Sequence, residues 1–252
     1  MEIVEEENPN KIIIRKFQFT CDGKDDTIPA PLPQTYNHFM VITAKPKQGK
    51  TTLIYNLLTK QNKLYNKKFD KIYIFSPSLK TIDDDPFKDV DDEQKFSELN
   101  KENLQHVYDE VEDSGERVLL VMDDIVNDIK KNEGVEKLLC KMMMNRRHIC
   151  GRAEDGDSCG ISCWITTQVF NKLSRPLRAS ASHHIIFKTS NKKELDTIFD
   201  ELILLEKQHF NDMLKFVYDK PFNFLFINSD ESFDKMYNKN FNRLKITMKD
   251  NM

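Results

Sequence analysis

The chain lacks any hydrophobic run that approaches the roughly 20 residues needed to cross a bilayer as a helix. It also lacks the positively charged start of a signal peptide, because residues 1–10, MEIVEEENPN, are acidic. We therefore expect a soluble, intracellular protein without a membrane partner. We find no internal repeat and no linker that would separate domains.

Paired C-x-x-C cysteines are also missing, and the number of cysteines is odd, at five. Cys150, Cys159 and Cys163 lie close to His148, so a zinc site is one interpretation, although the spacing fits no common zinc finger or ribbon. Free thiols in a reducing compartment are the other interpretation. The sequence leaves both open.

Arginine is scarce, with eight residues among the 38 lysines and arginines. Five of the eight lie between positions 146 and 178. Because the planar arginine fork suits phosphate recognition better than lysine does, this stretch is predicted to be functional. The net charge of −3 does not favour a nucleic-acid partner, and it does not exclude one that binds a local basic surface.

Strands and helices are predicted to alternate along the chain, which indicates an α/β fold with a mostly parallel sheet and helices on both faces. We expect an N-terminal tail, strand and connector over 1–37, one domain over 38–230 and a polar tail over 231–252. The strands are predicted at 11–20, 38–43, 71–75, 118–122, 161–166, 184–187 and 222–227. The helices are predicted at 53–58, 93–112 with a break near Asn100, 135–148, 192–205 and 207–216, with a surface loop at 83–92.

The strand over 38–43 runs into a segment that ends in Gly-Lys-Thr, the pattern of a phosphate-binding loop. In such a loop, backbone N–H groups and the start of a helix face an anion, and the lysine reaches its outer phosphates. The chain is therefore predicted to bind ATP. The residues predicted to contact it are Ala44, Lys45, Pro46, Lys47, Gln48, Gly49, Lys50, Thr51 and Thr52.

The loop departs from G-x-x-x-x-G-K-[ST] at its first position, which is Ala44. Glycine serves where the backbone turns sharply, and alanine in a left-handed conformation costs about 1–2 kcal/mol. We expect the binding site to absorb that cost.

A second apolar strand, over 118–122, ends in Asp123 and Asp124, as in the Walker B arrangement. Asp123 is predicted to hold the shell of a Mg²⁺ ion, with the Thr51 hydroxyl as a ligand. Asp124 occupies the position of the carboxylate that activates the attacking water. A strand followed by a helix cap would give the same pattern without any catalytic role.

Gln168 ends a third strand, which fits an NTPase with an extra strand between the Walker A and Walker B strands. Its amide is then predicted to lie between the γ-phosphate and Asp124, where it can donate to phosphate and orient water. The alternative is an ordinary glutamine exposed at a strand end.

Two arginine pairs flank this glutamine strand. In ring ATPases an arginine of one subunit reaches the γ-phosphate bound by its neighbour. Charge at a helix C-terminus is the other explanation, because the helix dipole favours cations there. The four are Arg146, Arg147, Arg175 and Arg178.

The order of these motifs resembles the viral DNA-packaging ATPases of poxvirus type and their relatives in virophages and Polinton-like elements, within the FtsK/HerA superfamily. The resemblance spans about 39–205. The residues that carry it are the P-loop, Leu-Leu-Val-Met-Asp-Asp at 119–124, Asn-Arg-Arg-His at 145–148, Ile-Thr-Thr-Gln-Val-Phe-Asn-Lys-Leu at 165–173 and Pro-Leu-Arg at 176–178. The departures are Ala44 and the glycine-rich insertion over 151–160.

The resemblance implies a RecA-like ATPase of the ASCE class that forms homo-oligomeric rings. Such rings move double-stranded DNA, without reading its sequence, into a preformed capsid, so capsid proteins are possible partners. It implies that Lys50 and Thr51 serve as Walker A residues and Gln168 as a sensor, with Arg146 or Arg147 acting in trans. The expected location is the host cytoplasm, in a viral factory, or the virion.

Two other functions remain open. One is a small P-loop nucleotide kinase, although such kinases usually need an arginine-rich lid, and here the arginines bracket a strand instead. The other is a catalytically weak NTP-binding assembly protein, which Ala44 makes conceivable.

Overall fold

Nine strands form one sheet in the computed structural model, which describes residues 20–58, 64–81, 87–154 and 156–247. The strands are β1 (Phe39–Thr43), β2 (Lys71–Phe75), β3 (Lys95–Phe96), β4 (Arg117–Met122), β5 (Gly160–Thr167), β6 (His183–Phe187), β7 (Phe224–Asn228), β8 (Tyr237–Lys239) and β9 (Asn242–Arg243). Their order in the sheet is β3-β2-β4-β5-β1-β6-β7-β8-β9.

The sheet is parallel from β3 through β6, and β7, β8 and β9 extend it with antiparallel pairings. β5 lies between β1, which leads into the phosphate-binding loop, and β4, which leads into Asp123 and Asp124. The extra strand predicted between these two strands is therefore confirmed. Thr43 pairs with Thr167, and Met122 pairs with Ile165. The carboxyl ends of these three strands therefore lie side by side.

Seven helices connect the strands in the described ranges. They are α1 (Lys50–Leu58), α2 (Lys101–Val111), α3 (Val126–Lys131), α4 (Glu133–Asn145), α5 (Arg175–Ser180), α6 (Lys192–Leu202) and α7 (Lys207–Val217). Asparagine side chains begin three of them, because their oxygens accept the backbone N–H groups that a helix start leaves unpaired. These caps are Asn100 for α2, Asn132 for α4 and Asn191 for α6.

Both faces of the sheet are covered, as predicted. Alternate residues of β1 point to opposite faces, so Met40 and Ile42 pack with α1, while Phe39 and Val41 belong to a larger core. That larger core includes buried residues of α2, α4, α5, α6 and α7. The central strands are consequently buried on both sides. None of the helices within these ranges has the length and apolar composition of a membrane span.

The predicted helix over 93–112 is wrong in its first part. Residues 92–94 form a 3₁₀ turn, Lys95 and Phe96 form β3, and the helix begins at Lys101. The Phe96 ring stacks on Phe75 of β2, with 4.8 Å between the ring centroids. This contact and the strand pairing outweigh the helical spacing of the apolar residues.

The polar segment after residue 230 was expected to be a tail, yet it contains β8 and β9. Tyr237 is buried there, and its hydroxyl accepts a hydrogen bond of 2.8 Å from the Leu204 backbone. The expected N-terminal acidic tail and the strand over 11–20 lie almost wholly outside the described residues, as do residues 83–86 of the loop over 83–92.

Three histidines are buried: His38 directly precedes β1, and His183 and His184 begin β6. His38 Nδ1 is 2.6 Å from the Thr35 carbonyl, and Trp164 Nε1 donates to His38 Nε2 at 2.8 Å. A carbonyl only accepts and an indole N–H only donates, so this histidine is neutral. Burial lowers the pKa of His38 and His184 to about 4, and it lowers the pKa of His183 well below its usual range.

We predict that the free energy of unfolding decreases as the pH is lowered from 6.5 to about 4.5. The unfolded chain binds protons at these histidines near pH 6.5, while the folded chain does not, so acid favours unfolding. Each histidine contributes up to about 1.4 kcal/mol per pH unit in this window. Urea unfolding at several pH values measures the slope, with His209→Gln, at an exposed position, as the control that leaves it unchanged. A flat profile above pH 4.5 would contradict the prediction.

Candidate active site

The loop between β1 and α1 is shaped by two left-handed residues and one glutamine. Lys47 has φ 65° and Gly49 has φ 92°, which lets the backbone reverse before α1. The Gln48 side chain accepts a bond of 2.8 Å from the Lys45 backbone N–H and donates one of 2.9 Å to the Lys188 carbonyl. Gln48 therefore fastens the loop to the end of β6.

Ala44 does not adopt the left-handed conformation that the sequence led us to expect. It is not among the described residues with positive φ. Its side chain is buried, and its N–H donates to the Thr167 carbonyl at 2.9 Å, which continues the β1–β5 pairing. The expected cost of alanine is thus absent, because the reversal takes place further along the loop.

Lys50, the first residue of α1, forms an ion pair with Asp124. The Lys50 side chain is 7% exposed and that of Asp124 is 38% exposed, so the carboxylate is the partner that faces solvent. Asp124 has φ 56°, in the left-handed region, which aspartate adopts more readily than most residues other than glycine. Lys50 and Asp124, for which separate motifs predicted catalytic roles, therefore meet directly.

Asp123 is buried beside Thr51 and Thr166. The Thr166 hydroxyl donates to Asp123 Oδ1 at 2.6 Å and accepts the Asp124 N–H at 3.0 Å. Asp123 Oδ2 accepts a longer bond of 3.4 Å from the Thr51 hydroxyl. A hydroxyl and a carboxylate are the oxygen donors that Mg²⁺ prefers, so these two residues fit the predicted metal site.

Gln168 follows β5 and lines a small cleft of about 40 Å³. Asp124 lies in the same cleft, as the sequence predicted, together with Asn127 of α3 and Lys172. The cleft thus carries an acid, two amides and a cation beside Lys50. Sequence reasoning assigned no role to Thr166 or Lys172. Their positions in the sequence, two residues before and four residues after Gln168, could have indicated that they belong to the same site.

Arg146 and Arg147 lie at the amino ends of the parallel strands, whereas Lys50 lies at their carboxyl ends. The Arg146 carbonyl accepts the N–H of Ile161, at the start of β5, at 2.9 Å. β5 has eight residues, and at about 3.3 Å per residue its length separates these arginines from Gln168 by about 20 Å. The fold does not bring them to the Lys50 of their own chain, so their predicted action could only be in trans.

The side chains of these two arginines are engaged within the chain. Arg146 donates to the Asn37 carbonyl at 2.6 Å and to the Met143 carbonyl at 2.7 Å, and burial lowers the pKa of its guanidinium. Arg147 donates to an Asp22 oxygen at 2.6 Å. Arg146 thus joins the end of α4 to the segment before β1.

The second arginine pair is divided between two environments. Arg178 forms two bonds with Glu201, at 2.8 and 2.6 Å, and lies over the Phe170 ring. Arg175 is exposed at the start of α5. Arg178 therefore joins α5 to α6, while Arg175 faces solvent.

The cysteines do not form the cluster that a zinc site needs. Cys163 lies in the core on β5, and His148 is exposed after α4. In the described part of the chain, no three histidine, cysteine, aspartate or glutamate side chains converge as metal ligands.

Comparison with known proteins yields matches among solved structures. No protein-family model matches the chain, and no curated protein sequence matches it. B204, the DNA-packaging ATPase of Sulfolobus turreted icosahedral virus, superposes with a TM-score of 0.58 at 17% identity, over 84% of this chain and 98% of that one. The genome-packaging NTPase B204 of Sulfolobus turreted icosahedral virus 2, in complex with ATPγS, gives 0.53 at 16%, over 83% and 99%.

A bacterial protein shows the same fold within a longer chain. The cytoplasmic domain of the Thermomonospora curvata type VII secretion ATPase EccC superposes with a TM-score of 0.51 at 12% identity, over 86% of this chain and 25% of that one. At these identities the matches establish the fold. The predicted P-loop ATPase fold of ASCE type, with its likeness to viral packaging ATPases, is thereby confirmed.

We predict that Thr166→Val destabilises the protein by about 1–3 kcal/mol, because it removes the hydroxyl that satisfies the buried Asp123 carboxylate. Thr166→Ser keeps the hydroxyl and serves as the matched control, with a loss well below that of the valine variant. Urea unfolding at pH 7 measures both. A loss in Thr166→Val no larger than that in Thr166→Ser would contradict the prediction, because valine keeps the methyl group and lacks only the hydroxyl.

Proposed function

We propose that the chain is an ATP-hydrolysing motor subunit that translocates double-stranded DNA and packages a viral genome into a capsid. The observation that carries the proposal is the convergence of Lys50, Asp123, Asp124 and Gln168 where β1, β4 and β5 end. This convergence occurs in a fold shared with two viral genome-packaging ATPases. Fold alone does not determine activity, so the site residues supply the argument.

The proposed reaction begins with an exchange of ion-pair partners. The triphosphate is held by backbone N–H groups of 47–51 at the start of α1, and it competes with Asp124 for the Lys50 ammonium. Asp124, released from Lys50 and already exposed to solvent, accepts a proton from the attacking water. Gln168, in the same cleft, orients that water and contacts the γ-phosphate.

Thr51 and Asp123 are the residues that would hold Mg²⁺, which supplies charge neutralisation at the β- and γ-phosphates when bound. The Thr166 hydroxyl orients both acids, because it donates a hydrogen bond to the Asp123 carboxylate and accepts one from the Asp124 backbone N–H. Both acids are thus oriented before substrate binds. This preorganisation supports hydrolysis over simple binding.

In this proposal the subunits form a homo-oligomeric ring, and a neighbour's arginine completes each site. Arg147 is the better candidate of the predicted pair, because its partner Asp22 is a half-exposed side chain that a phosphate can replace. Arg146 is bound to two carbonyls, whose loss would leave buried acceptors unpaired. Lysines that line the pore contact DNA phosphates without reading sequence.

We predict that Lys50→Ala and Asp124→Asn each lower the ATPase rate by about 10²- to 10⁴-fold, the range for removal of a general base or a phosphate-binding charge. Asp124→Asn retains ATP binding, because it removes no contact to phosphate. Asp212→Asn, on the exposed face of α7, is the control that keeps the wild-type rate. Steady-state hydrolysis with and without duplex DNA, and calorimetric ATP binding, measure these effects.

The same assays separate the alternatives. DNA-stimulated hydrolysis, with no transfer of labelled phosphate to nucleoside monophosphates, supports the motor and excludes the kinase. Tight ATP binding without turnover by the wild-type protein would identify the assembly protein instead. A Lys50→Ala protein that hydrolyses ATP at the wild-type rate would contradict the proposed site altogether.

We predict that Arg147→Ala and Lys50→Ala proteins, each inactive alone, regain ATPase activity when mixed. In a mixed ring the Arg147→Ala subunit contributes an intact Lys50, and its neighbour contributes Arg147. Activity should reach a maximum near equal proportions, in a titration followed by ATPase rate and by oligomer mass. A mixture of Lys50→Ala with Asp124→Asn, whose defects lie in the same cleft, is the control that remains inactive. No recovery from rings that do form would contradict a trans role for Arg147.

A further inference from the structure

A second cavity lies on the other side of the phosphate-binding loop from the Gln168 cleft. It measures about 350 Å³ and is lined by Gln48 of the loop, by Phe187 and Lys188 at the end of β6, and by residues 218–223, which connect α7 to β7. This volume is within the range of small-ligand pockets, about 300–1,000 Å³. None of the roles proposed above uses it.

Phe222 is the unusual residue of this cavity. Its side chain is 68% exposed, and its φ is 65°, in the left-handed region. A bulky residue in this region is a genuine outlier, and the conformation costs about 1–2 kcal/mol. Because a large aromatic ring in water and a strained backbone are both unfavourable for stability, their coincidence indicates a functional position.

The segment around Phe222 is firmly held. The Tyr218 hydroxyl donates to the Ile186 carbonyl at 2.9 Å, and the Asn223 amide donates to Asp219 at 2.8 Å. Asn240, between β8 and β9, donates to the Asn223 oxygen at 3.1 Å. The antiparallel extension of the sheet therefore supports the strained turn.

The Phe222 ring also lies against the phosphate-binding loop. A Cβ placed on Gly49 would be 3.8 Å from Phe222 Cδ1, which is ordinary van der Waals contact. The ring thus borders the backbone that precedes Lys50. A ligand bound to this backbone could therefore contact the Phe222 ring as well.

The sheet order gives a bound nucleotide a direction. β5 and β6 flank β1 on opposite sides. Asp124 and Gln168, the groups assigned to the γ-phosphate, lie on the β5 side, and the Phe222 cavity lies on the β6 side. A triphosphate whose γ-phosphate points toward β5 therefore directs its ribose and base toward β6.

We propose that this cavity is the nucleobase subsite and that the base of the bound nucleoside triphosphate stacks on Phe222. The inference rests on the proposed ATPase function. Aromatic rings accept any base through their π-faces, and a flat heterocycle covers the exposed ring without requiring a charged partner. The Gln48 side chain, held between the loop and Lys188, connects this subsite to the phosphate site.

The test compares ATP with inorganic tripolyphosphate, which has no base, by calorimetry in the presence of Mg²⁺. Phe222→Asn should weaken ATP binding by about tenfold, the effect of removing one base–aromatic stack, and leave tripolyphosphate binding unchanged. Asparagine tolerates the left-handed backbone, so the unfolding temperature should stay the same or rise. Phe233→Ala, at a partly exposed phenylalanine elsewhere, is the control that changes neither ligand.

A direct probe of contact is Phe222→Trp, which keeps an aromatic surface. Its fluorescence should change on addition of ATP and not on addition of tripolyphosphate, since the one native tryptophan, Trp164, is buried. A change that follows protein concentration without any nucleotide would instead place Phe222 in a subunit contact and overturn the subsite.

The remaining outcomes distinguish a failure of the nucleobase subsite from a failure of the proposed ATPase function. Unchanged ATP affinity in Phe222→Asn, or equal loss for both ligands, overturns the nucleobase subsite while the ATPase stands. A wild-type protein that binds neither ATP nor tripolyphosphate overturns the proposed function and the subsite together.

Discussion

The insertion of β5 between β1 and β4 is the constraint on which the site depends. Thr43 pairs with Thr167, and the Ala44 N–H continues that pairing one residue further. On the other side, Met122 pairs with Ile165, so Thr166 lies beside the first residues after β4. Because strand side chains alternate between faces, a slip of one residue would turn the Thr166 hydroxyl away from Asp123. The fixed register is thus what orients both acids.

The same strand joins the site to the core. Trp164, two residues before Thr166, is fully buried and donates to His38, while Cys163 and Ile165 pack on the opposite face. A strand buried on both faces tolerates little displacement, because neighbouring side chains fill the available space. Rigidity at the end of β5 is therefore a consequence of core packing. In the Lys50–Asp124 ion pair, by contrast, the Asp124 carboxylate faces solvent.

The sequence predicted those parts of the site that are carried by contiguous patterns. Apolar strands followed by Gly-Lys-Thr, Asp-Asp and Gln identified the three strand ends, and the structure places Lys50, Asp124 and Gln168 together there. Contacts between distant segments left no such pattern. The Gln48–Lys188 bond, the pairing of β8 with β7 and the stacking of Phe96 on Phe75 arise only when the chain is folded. The left-handed conformation predicted for Ala44 was wrong for a related reason: the pairing of its N–H with the Thr167 carbonyl, a tertiary contact, determines its backbone conformation.

Three of the residues with an unusual left-handed backbone lie around the phosphate-binding loop. Of the six residues other than glycine with positive φ in the described ranges, Lys47 lies in the loop, Asp124 in the Gln168 cleft and Phe222 in the cavity on the other side. Each conformation costs free energy that the surrounding hydrogen bonds and packing must offset. Local sequence preference and global fold usually agree, and they diverge at functional positions. The three residues lie on both sides of β1, along the path that a nucleotide would take from β5 to β6. Left-handed residues on both sides of β1 therefore support the proposal of an extended ligand, with a phosphate end near β5 and a base end near β6.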